Sequence, residues 1–251
     1  MKVIKKGAIA FAVLVFWISL WQVLALCVAN DLLLPSPIYT VKRLAELATS
    51  SDFYLFTALS LLRILAGIFA AILLSLPFSA ICSRSKIADV LFTPAVTLMK
   101  STPVVSFILI AIFMVDRNII PTLITFMMVF PVLYENLREG IKCTPNDLIE
   151  MATVFSIPWH LRVKRIYLPA IKPFFNSALC TSVGLAIKAG VAAEVIAYIP
   201  LSIGKKLSDA KSYMEPADLF AWTAVIVILS LAAEKLLRLL LSKTGRRRSN
   251  A

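Results

Sequence analysis

Charged residues are scarce in this chain of 251 residues, at 16% of the total, whereas soluble globular proteins carry about 25%. Hydrophobic residues make up 60% of the chain, and the mean hydropathy is +0.88. Apolar runs of about 20 residues recur, the length at which a helix crosses the hydrocarbon core of a bilayer. The composition therefore excludes a soluble fold and predicts an all-α, polytopic membrane protein.

Residues that bind metals or nucleotides are also few. The four cysteines form no CxxC pair and the only histidine is His160, so we expect neither a disulfide framework nor a metal site. None of the seven glycines belongs to a G-x-x-x-x-G-K-[ST] motif, the loop that cradles nucleotide phosphates. Without a histidine cluster, a G-x-S-x-G motif or paired acids, no catalytic residue and no bound cofactor is expected. Energy for any transport must come from a partner or a gradient.

The apolar runs predict six membrane spans within one domain, residues 1–251, whose core unit is about 56–241. The third span is interrupted by "MKSTP", Met99–Pro103, and is either one bent helix or a short lead-in followed by a span. The first run is longer than the apolar part of a typical signal peptide and no cleavage site follows it, so an uncleaved span is favoured. If it is removed, or if the third span fails, five remain. The predicted spans are about 8–28, 56–82, 90–115, 119–134, 174–199 and 219–241.

The net charge of +12 does not indicate a nucleic-acid partner, because the basic residues form no patch with interleaved aromatics. With six spans, seventeen of the 26 Lys and Arg residues lie on one side of the membrane and six on the other. The positive-inside rule then places both termini and the segment after the fourth span in the cytoplasm.

That segment, "NDLIEMATVFSIPWHLRVKRIYLPAIKPFF", predicts two short amphipathic helices joined at Ser156–Ile157. Thr144 or Asp147 is expected to cap the first helix, which runs from about residue 146 to 155. The second begins at Pro158 and is expected to end at Pro169. One face can pack on the spans, while Ala152 offers a knob to a cytoplasmic partner; alternatively, the pair lies on lipid headgroups. The apolar positions expected on one face of the first helix are Leu148, Ile149, Ala152 and Phe155.

The stretch "EMATVFSIPWHLRVKRIYLP" resembles the EAA loop of binding-protein-dependent ABC importer permeases. Glu150, Met151 and Ala152 match E-A-A with one change, and Ser156 stands where glycine is usual. Ile166, Leu168 and Pro169 match the end of the pattern. Three further stretches resemble the nitrate/sulfonate/taurine-type permeases: "LLPSPIYTVKRLAEL", "SLLRILAGIFAAILLSLP" with Arg63, and "VAAEVIA" with Glu194.

The resemblance implies a multi-pass permease subunit of the bacterial inner membrane, without enzymatic activity of its own. Its 145–169 loop would be the coupling helix that docks on an ABC ATPase subunit, which holds the ATP. A second permease chain, giving a homodimer, and an extracytoplasmic substrate-binding protein are the other implied partners. The alternative is a gradient-driven secondary transporter or channel; such carriers often show internal repeats, and none is evident here.

Four charged residues, Arg63, Lys100, Lys188 and Glu194, lie within or beside the spans and are candidates for the translocation path. Arg63 and Lys100 lie near span ends, where snorkelling to the interface is favoured. Lys188 lies about 21 Å along the fifth span at 1.5 Å per residue. A stripe of small residues on the same span, Ser182, Ala186, Ala189 and Ala193, predicts close packing at a subunit interface. Lys188 then suggests an anionic solute.

Overall fold

The computed structural model describes residues 2–28, 30 and 32–246, with side chains described for 12–28, 30 and 32–241. Within those residues the chain forms α-helices and no strand. A 3₁₀ turn, Arg117–Ile119, and a π-helical turn, Val163–Tyr167, connect some of them. The helices are α1 (Lys2–Val28), α2 (Pro37–Ala48), α3 (Ser51–Arg84), α4 (Lys86–Ser101), α5 (Val104–Met114), α6 (Ile120–Lys142), α7 (Asn146–Val154), α8 (Trp159–Arg162), α9 (Leu168–Ala197), α10 (Ile203–Ser212) and α11 (Pro216–Arg246).

Three helical stretches among the described residues are long and apolar enough to cross a membrane: Ser51–Arg84, Arg117–Lys142 and Trp159–Ala197. The pair α4 and α5, bent by 104° at Thr102–Pro103, adds a fourth if it forms one span. Residues 12–28 form a shorter apolar helix. The predicted all-α polytopic membrane protein is confirmed, and the count of six spans stays a prediction.

Serine side chains set the start of several helices. Ser36, Ser50, Ser85 and Ser202 each accept a hydrogen bond from the backbone N–H three residues later, at 2.9–3.3 Å. These bonds satisfy N–H groups that have no partner within the helix. Helix α2 begins at Pro37, directly after its Ser36 cap.

Helix α6 lies at the centre of the bundle and packs most extensively on α3 and α9. The main core includes Ile64, Leu133 and Trp222, all almost without exposed surface. Gly67 makes the α3–α6 approach possible, because a Cβ there would lie 2.5 Å from the carbonyl oxygen of Thr122. This core thus packs α3, α6 and α9 together, and the connecting segments rest on these three helices.

The fifth predicted span begins earlier than the sequence indicated. It was expected over 174–199, with Pro169 ending a separate helix, but Trp159–Ala197 runs on as one helical stretch. The Leu168 N–H donates to the carbonyl of Val163 in the wide π turn that immediately precedes Pro169. The missing N–H of proline therefore interrupts the hydrogen-bond ladder without ending the helix.

Candidate functional site

The first helix of the 145–169 segment, α7, has the bounds that the sequence predicted but a different N-cap. Pro145 occupies the cap position and makes no side-chain cap bond. Capping by Thr144 or Asp147 is therefore a wrong prediction: Thr144 is buried, and its hydroxyl donates to the carbonyl of Gly140 at 3.4 Å. Asp147 lies in the first turn, where a carboxylate interacts favourably with the helix dipole.

The turn after α7 is a Schellman motif built without glycine. The Ile157 N–H donates to the carbonyl of Ala152 at 2.9 Å, and the Ser156 N–H donates to that of Thr153 at 3.0 Å. Ser156 has φ 52°, in the left-handed region where glycine is favoured. The serine in the usual glycine position therefore keeps a glycine-like backbone.

Arg162 holds the two arms of this turn together. Its Nε donates to the carbonyl of Ile157 at 2.7 Å, and one terminal nitrogen donates to the Thr153 hydroxyl at 3.2 Å. Because Arg162 lies on α8 and Thr153 on α7, these bonds fix the angle between the two helices. No local pattern in the sequence indicates this role for Arg162.

The outward surface of α7 differs from the expected knob. Ala152 has no exposed surface and therefore faces the protein itself. Of the four apolar residues expected on one face, Ala152 is buried and Ile149 half-buried, whereas Leu148 and Phe155 are exposed, so the protein covers only part of that face. Glu150 is exposed. The exposed apolar residues of α7 and its turn are Leu148 at 41%, Met151 at 45%, Val154 at 80% and Phe155 at 72%.

The six predicted coupling residues thus separate into two groups. Glu150, Met151, Ala152 and Ser156 lie together on α7 and its turn, whereas Leu168 and Pro169 are exposed on the first turn of α9. The turn formed by the first group, with the exposed apolar residues beside it, is called the α7 tip below (residues 148–157).

Two of the four charged span residues meet in a buried cluster. The Glu194 carboxylate accepts hydrogen bonds from the Ser60 hydroxyl at 2.8 Å and the Gly204 N–H at 3.2 Å, and lies 3.5 Å from the Arg63 guanidinium. Ser60 in turn accepts from the Ile203 N–H at 2.9 Å. Arg63 also donates to the backbone carbonyls of Pro200 and Leu201 in the loop after α9, and its snorkelling to the interface stays a prediction.

This cluster joins α3, α9 and the start of α10. Glu194 has no exposed surface, and a buried carboxylate is tolerated only when it is paired and hydrogen-bonded, as it is here. Because these contacts enclose its side chain, Glu194 is not open to a solute in this conformation. Its evident role is to brace the junction of the three helices.

Lys100 forms an ion pair instead of snorkelling alone. Its Nζ lies 2.6 Å from a carboxylate oxygen of Glu135, and the two side chains are 48% and 44% exposed. Close by, Arg138 of α6 pairs with Asp89 of α4. These two pairs join α4 to α6, the Lys100 pair near the bend between α4 and α5 and the Asp89 pair at the first turn of α4.

Helix α9 buries its small residues and exposes its lysine. Ser182, Ala186, Ala189 and Ala193 are all buried within the chain, where Ala189 and Ala193 belong to the cluster around Ile108. Their expected use at a subunit interface is therefore wrong. Lys188 lies on the exposed side with Thr181, and within the described part of the chain it makes no ion pair or side-chain hydrogen bond.

Beyond α9, charges are paired on the surface of α10. Lys205 donates to Asp209 at 2.6 Å and lies over the ring of Tyr198, whose hydroxyl also donates to Asp209. The hydrogen bond to Asp209 raises the pKa of Lys205. Burial acts to raise the pKa of Asp209, but the bonds from Lys205 and Tyr198 leave it lower than usual.

The all-α membrane bundle and the braced hairpin between two of its spans define a class of transport permeases. Residues 63–244 match the family described as binding-protein-dependent transport system inner membrane component, and the chain belongs to that family. It is thus the permease subunit of an ABC transporter, a transport component rather than an enzyme. The predicted family, function and lack of an enzymatic role are confirmed. The family implies ABC ATPase and substrate-binding protein partners and an inner-membrane location.

Several relatives carry names of transport permeases. SsuC of Bacillus subtilis, assigned as an aliphatic sulfonates transport permease protein, is 26% identical over 238 residues, covering 94% of this chain and 84% of that protein. The taurine transport system permease protein TauC of Escherichia coli is 24% identical and covers 88% and 82%. The bicarbonate transport system permease protein CmpB of Synechococcus elongatus is 22% identical and covers 84% and 79%.

A solved structure has the same fold. The crystal structure of an amino acid ABC transporter with histidines superposes with a TM-score of 0.64 over 81% of this chain and 97% of that chain, at 15% identity. At that identity the likeness concerns the fold alone.

Proposed function

We propose that the permease receives the force of ATP hydrolysis through the α7 tip and conducts an anionic solute past Lys188. The observation that carries the proposal is the exposed apolar surface of the tip. Val154 and Phe155 are 80% and 72% exposed, the highest values among the exposed apolar residues of the tip. A complementary groove on the ATPase would remove this surface from water.

The energetics favour such a groove. Covering a large apolar side chain fully is worth about 1.5–3 kcal/mol, so two of them supply a substantial part of a protein–protein affinity. The exposed Glu150 adds a charge beside the apolar surface. The bonds of Arg162 across the turn make α7 and α8 move together, which suits a part that transmits force into α9.

The charge distribution supports a cytoplasmic position for the tip. The side of the membrane that holds the 145–169 segment carries seventeen Lys and Arg residues and the other side six. This orientation also places both termini in the cytoplasm, although residues 247–251 lie outside the described part of the chain.

Lys188 is assigned to the translocation path because its charge is unpaired on an exposed helix face. A charge facing lipid costs about 2.5–3.5 kcal/mol near the bilayer centre, whereas one facing a water-filled path avoids that cost. The hydroxyl groups of Ser177 and Thr181 are exposed on the same helix. We place the exposed Lys100–Glu135 pair on the same path, and assign Arg63 and Glu194 to bracing its outer end.

A second copy of the chain would complete the path. One chain offers too few helices to enclose a path that opens alternately to each side, and identical subunits would meet about a twofold axis. The relatives named for aliphatic sulfonates, taurine and bicarbonate support an anionic solute. The binding protein would deliver it to the surface that contains Lys42 and Lys205.

Co-purification with the cognate ATPase subunit tests the docking role. The double variant Val154→Asp/Phe155→Asp should lose the ATPase, because two carboxylates would enter an apolar groove. The matched control is Tyr213→Asp/Met214→Asp, two adjacent residues that are 75% and 76% exposed before α11. The control should retain the ATPase. Full recovery with the first variant would show that the tip is not the docking surface.

Transport into proteoliposomes tests the path. Lys188→Met should reduce uptake of the transported anion by about tenfold or more, since a favourable charge of this kind is worth over 1.4 kcal/mol. Lys211→Met, an exposed lysine at the end of α10, is the control and should transport normally. Unchanged uptake of every tested anion by Lys188→Met would remove Lys188 from the path.

A further inference from the structure

A cleft of about 320 Å³ lies between the end of α3, the end of α6 and the 145–169 segment. Its polar edge carries Arg84 and Lys142, each in the last turn of its helix. Its wall includes the apolar residues Ala80, Ile141 and Ile171. No acidic side chain lines it, so two positive charges face a partly apolar space.

Neither cation is neutralised by an ion pair among the described residues, although Lys142 also borders a neighbouring cleft lined by Glu135 and Glu139. The Arg84 guanidinium lies 4.1 Å from the centre of the Trp159 ring, and Trp159 packs against Tyr167 at 5.6 Å between ring centres. This stacking orients the guanidinium. Within the described part of the chain, neither Arg84 nor Lys142 forms an ion pair or a side-chain hydrogen bond. Both side chains are exposed, so an anion bound at this edge of the cleft would pair with cations that are open to it.

We infer that this cleft binds an anionic phospholipid, with the phosphate between Arg84 and Lys142 and the start of an acyl chain along the apolar wall. Both cations lie at span ends, the level of the headgroups, and Trp159 is an aromatic residue of the type that prefers that level. Basic pockets between membrane helices are suited to anionic headgroups. A free phosphate would leave the apolar wall exposed to water.

The bound lipid also touches the base of the segment that we assign to coupling. Asn146 and Ile149 of α7 line the cleft together with Trp159 of α8. A lipid there contacts α3, α6, α7 and α8 at once and holds the hairpin against the bundle. This consequence does not depend on the ATPase, and it remains testable if the tip does not dock.

Lipid retention by the full-length chain tests the inference. The purified protein is exchanged into detergent with phosphatidylglycerol or phosphatidylcholine, and bound lipid is counted by native mass spectrometry. The wild type should retain phosphatidylglycerol, and Arg84→Gln and Lys142→Gln should each weaken retention about tenfold, as expected for the loss of one charge-assisted hydrogen bond. The control Lys164→Gln/Arg165→Gln removes two exposed cations outside the cleft and should retain the lipid.

The outcomes separate the competing explanations. Equal losses in the cleft variants and in the control would indicate general surface attraction and overturn the site. Displacement of the lipid by millimolar inorganic phosphate would indicate a soluble-anion site and overturn the lipid assignment. If Arg84→Gln cannot be purified as a folded protein, the test of the site rests on Lys142→Gln, which changes a side chain at an exposed helix end. Slower hydrogen exchange over residues 144–163 with phosphatidylglycerol in the wild type, and not in Lys142→Gln, would support the bracing role; an equal rate would contradict it.

Discussion

The Ser60→Ala substitution should destabilise the permease strongly although it removes only one oxygen atom. The Ser60 hydroxyl has no exposed surface, donates to Glu194 and accepts from the Ile203 N–H. Losing a hydrogen bond to a charged group costs about 1.5–3 kcal/mol, and a buried N–H without a partner costs about 1–3 kcal/mol. We therefore expect a loss of about 3–5 kcal/mol.

Ser75→Ala provides the matched control on the same helix. Ser75 is equally buried, but its hydroxyl donates only to the carbonyl of Ile72, which belongs to the ladder of α3 itself. Its loss should cost about 1 kcal/mol or less.

Thermal unfolding in detergent, followed by the fluorescence of the buried Trp222, measures both effects. At about 2–4 °C per kcal/mol for a chain of this size, Ser60→Ala should lower Tm by about 10 °C and Ser75→Ala by a few degrees at most. Equal shifts for the two variants would refute the bracing role of the cluster.

Three other substitutions test the packing, the turn and the exposed ion pair. Gly67→Ala should prevent stable folding, since its Cβ would meet backbone and side-chain atoms at 2.5–2.9 Å, while Gly184→Ala, with one neighbour at 3.4 Å, should purify and melt as the wild type does. Ser156→Gly should raise stability by up to about 1 kcal/mol in a melting experiment by relieving the left-handed backbone, and a lower Tm would show that the turn is not strained. A double-mutant cycle with Lys100→Met and Glu135→Met should give a coupling energy below about 1 kcal/mol if the pair faces water, whereas several kcal/mol would place it in a dry environment.

The helices and the hairpin could be predicted because their signals are local. Apolar runs and prolines predicted the order of the main helices, and α7 ends at Val154, within one residue of the end expected from its sequence. Pro169 misled the prediction because a π turn before it lets the helix continue, and no pattern in the single sequence marks that turn.

The candidate site was harder to predict because its contacts are distant in sequence. Arg63 and Glu194 are 131 positions apart, and neither residue's neighbours indicate that they meet. The small-residue stripe of α9 correctly indicated close packing, but only the assembled bundle shows that α5 and α6 supply the partners. Likewise, helical spacing predicted which residues share a face with Ala152, but it could not show that Ala152 faces the interior of the protein.

Site-specific crosslinking in intact membranes tests whether the α7 tip docks on the ATPase subunit. A photoreactive amino acid at position 155 should form an adduct with the ATPase subunit, because Phe155, which is 72% exposed, is proposed to enter the groove of that subunit. The same group at position 213, which the proposed orientation places on the opposite side of the membrane, should give no ATPase adduct. Adducts from position 155 with lipid alone, or with an extracytoplasmic protein, would contradict the account.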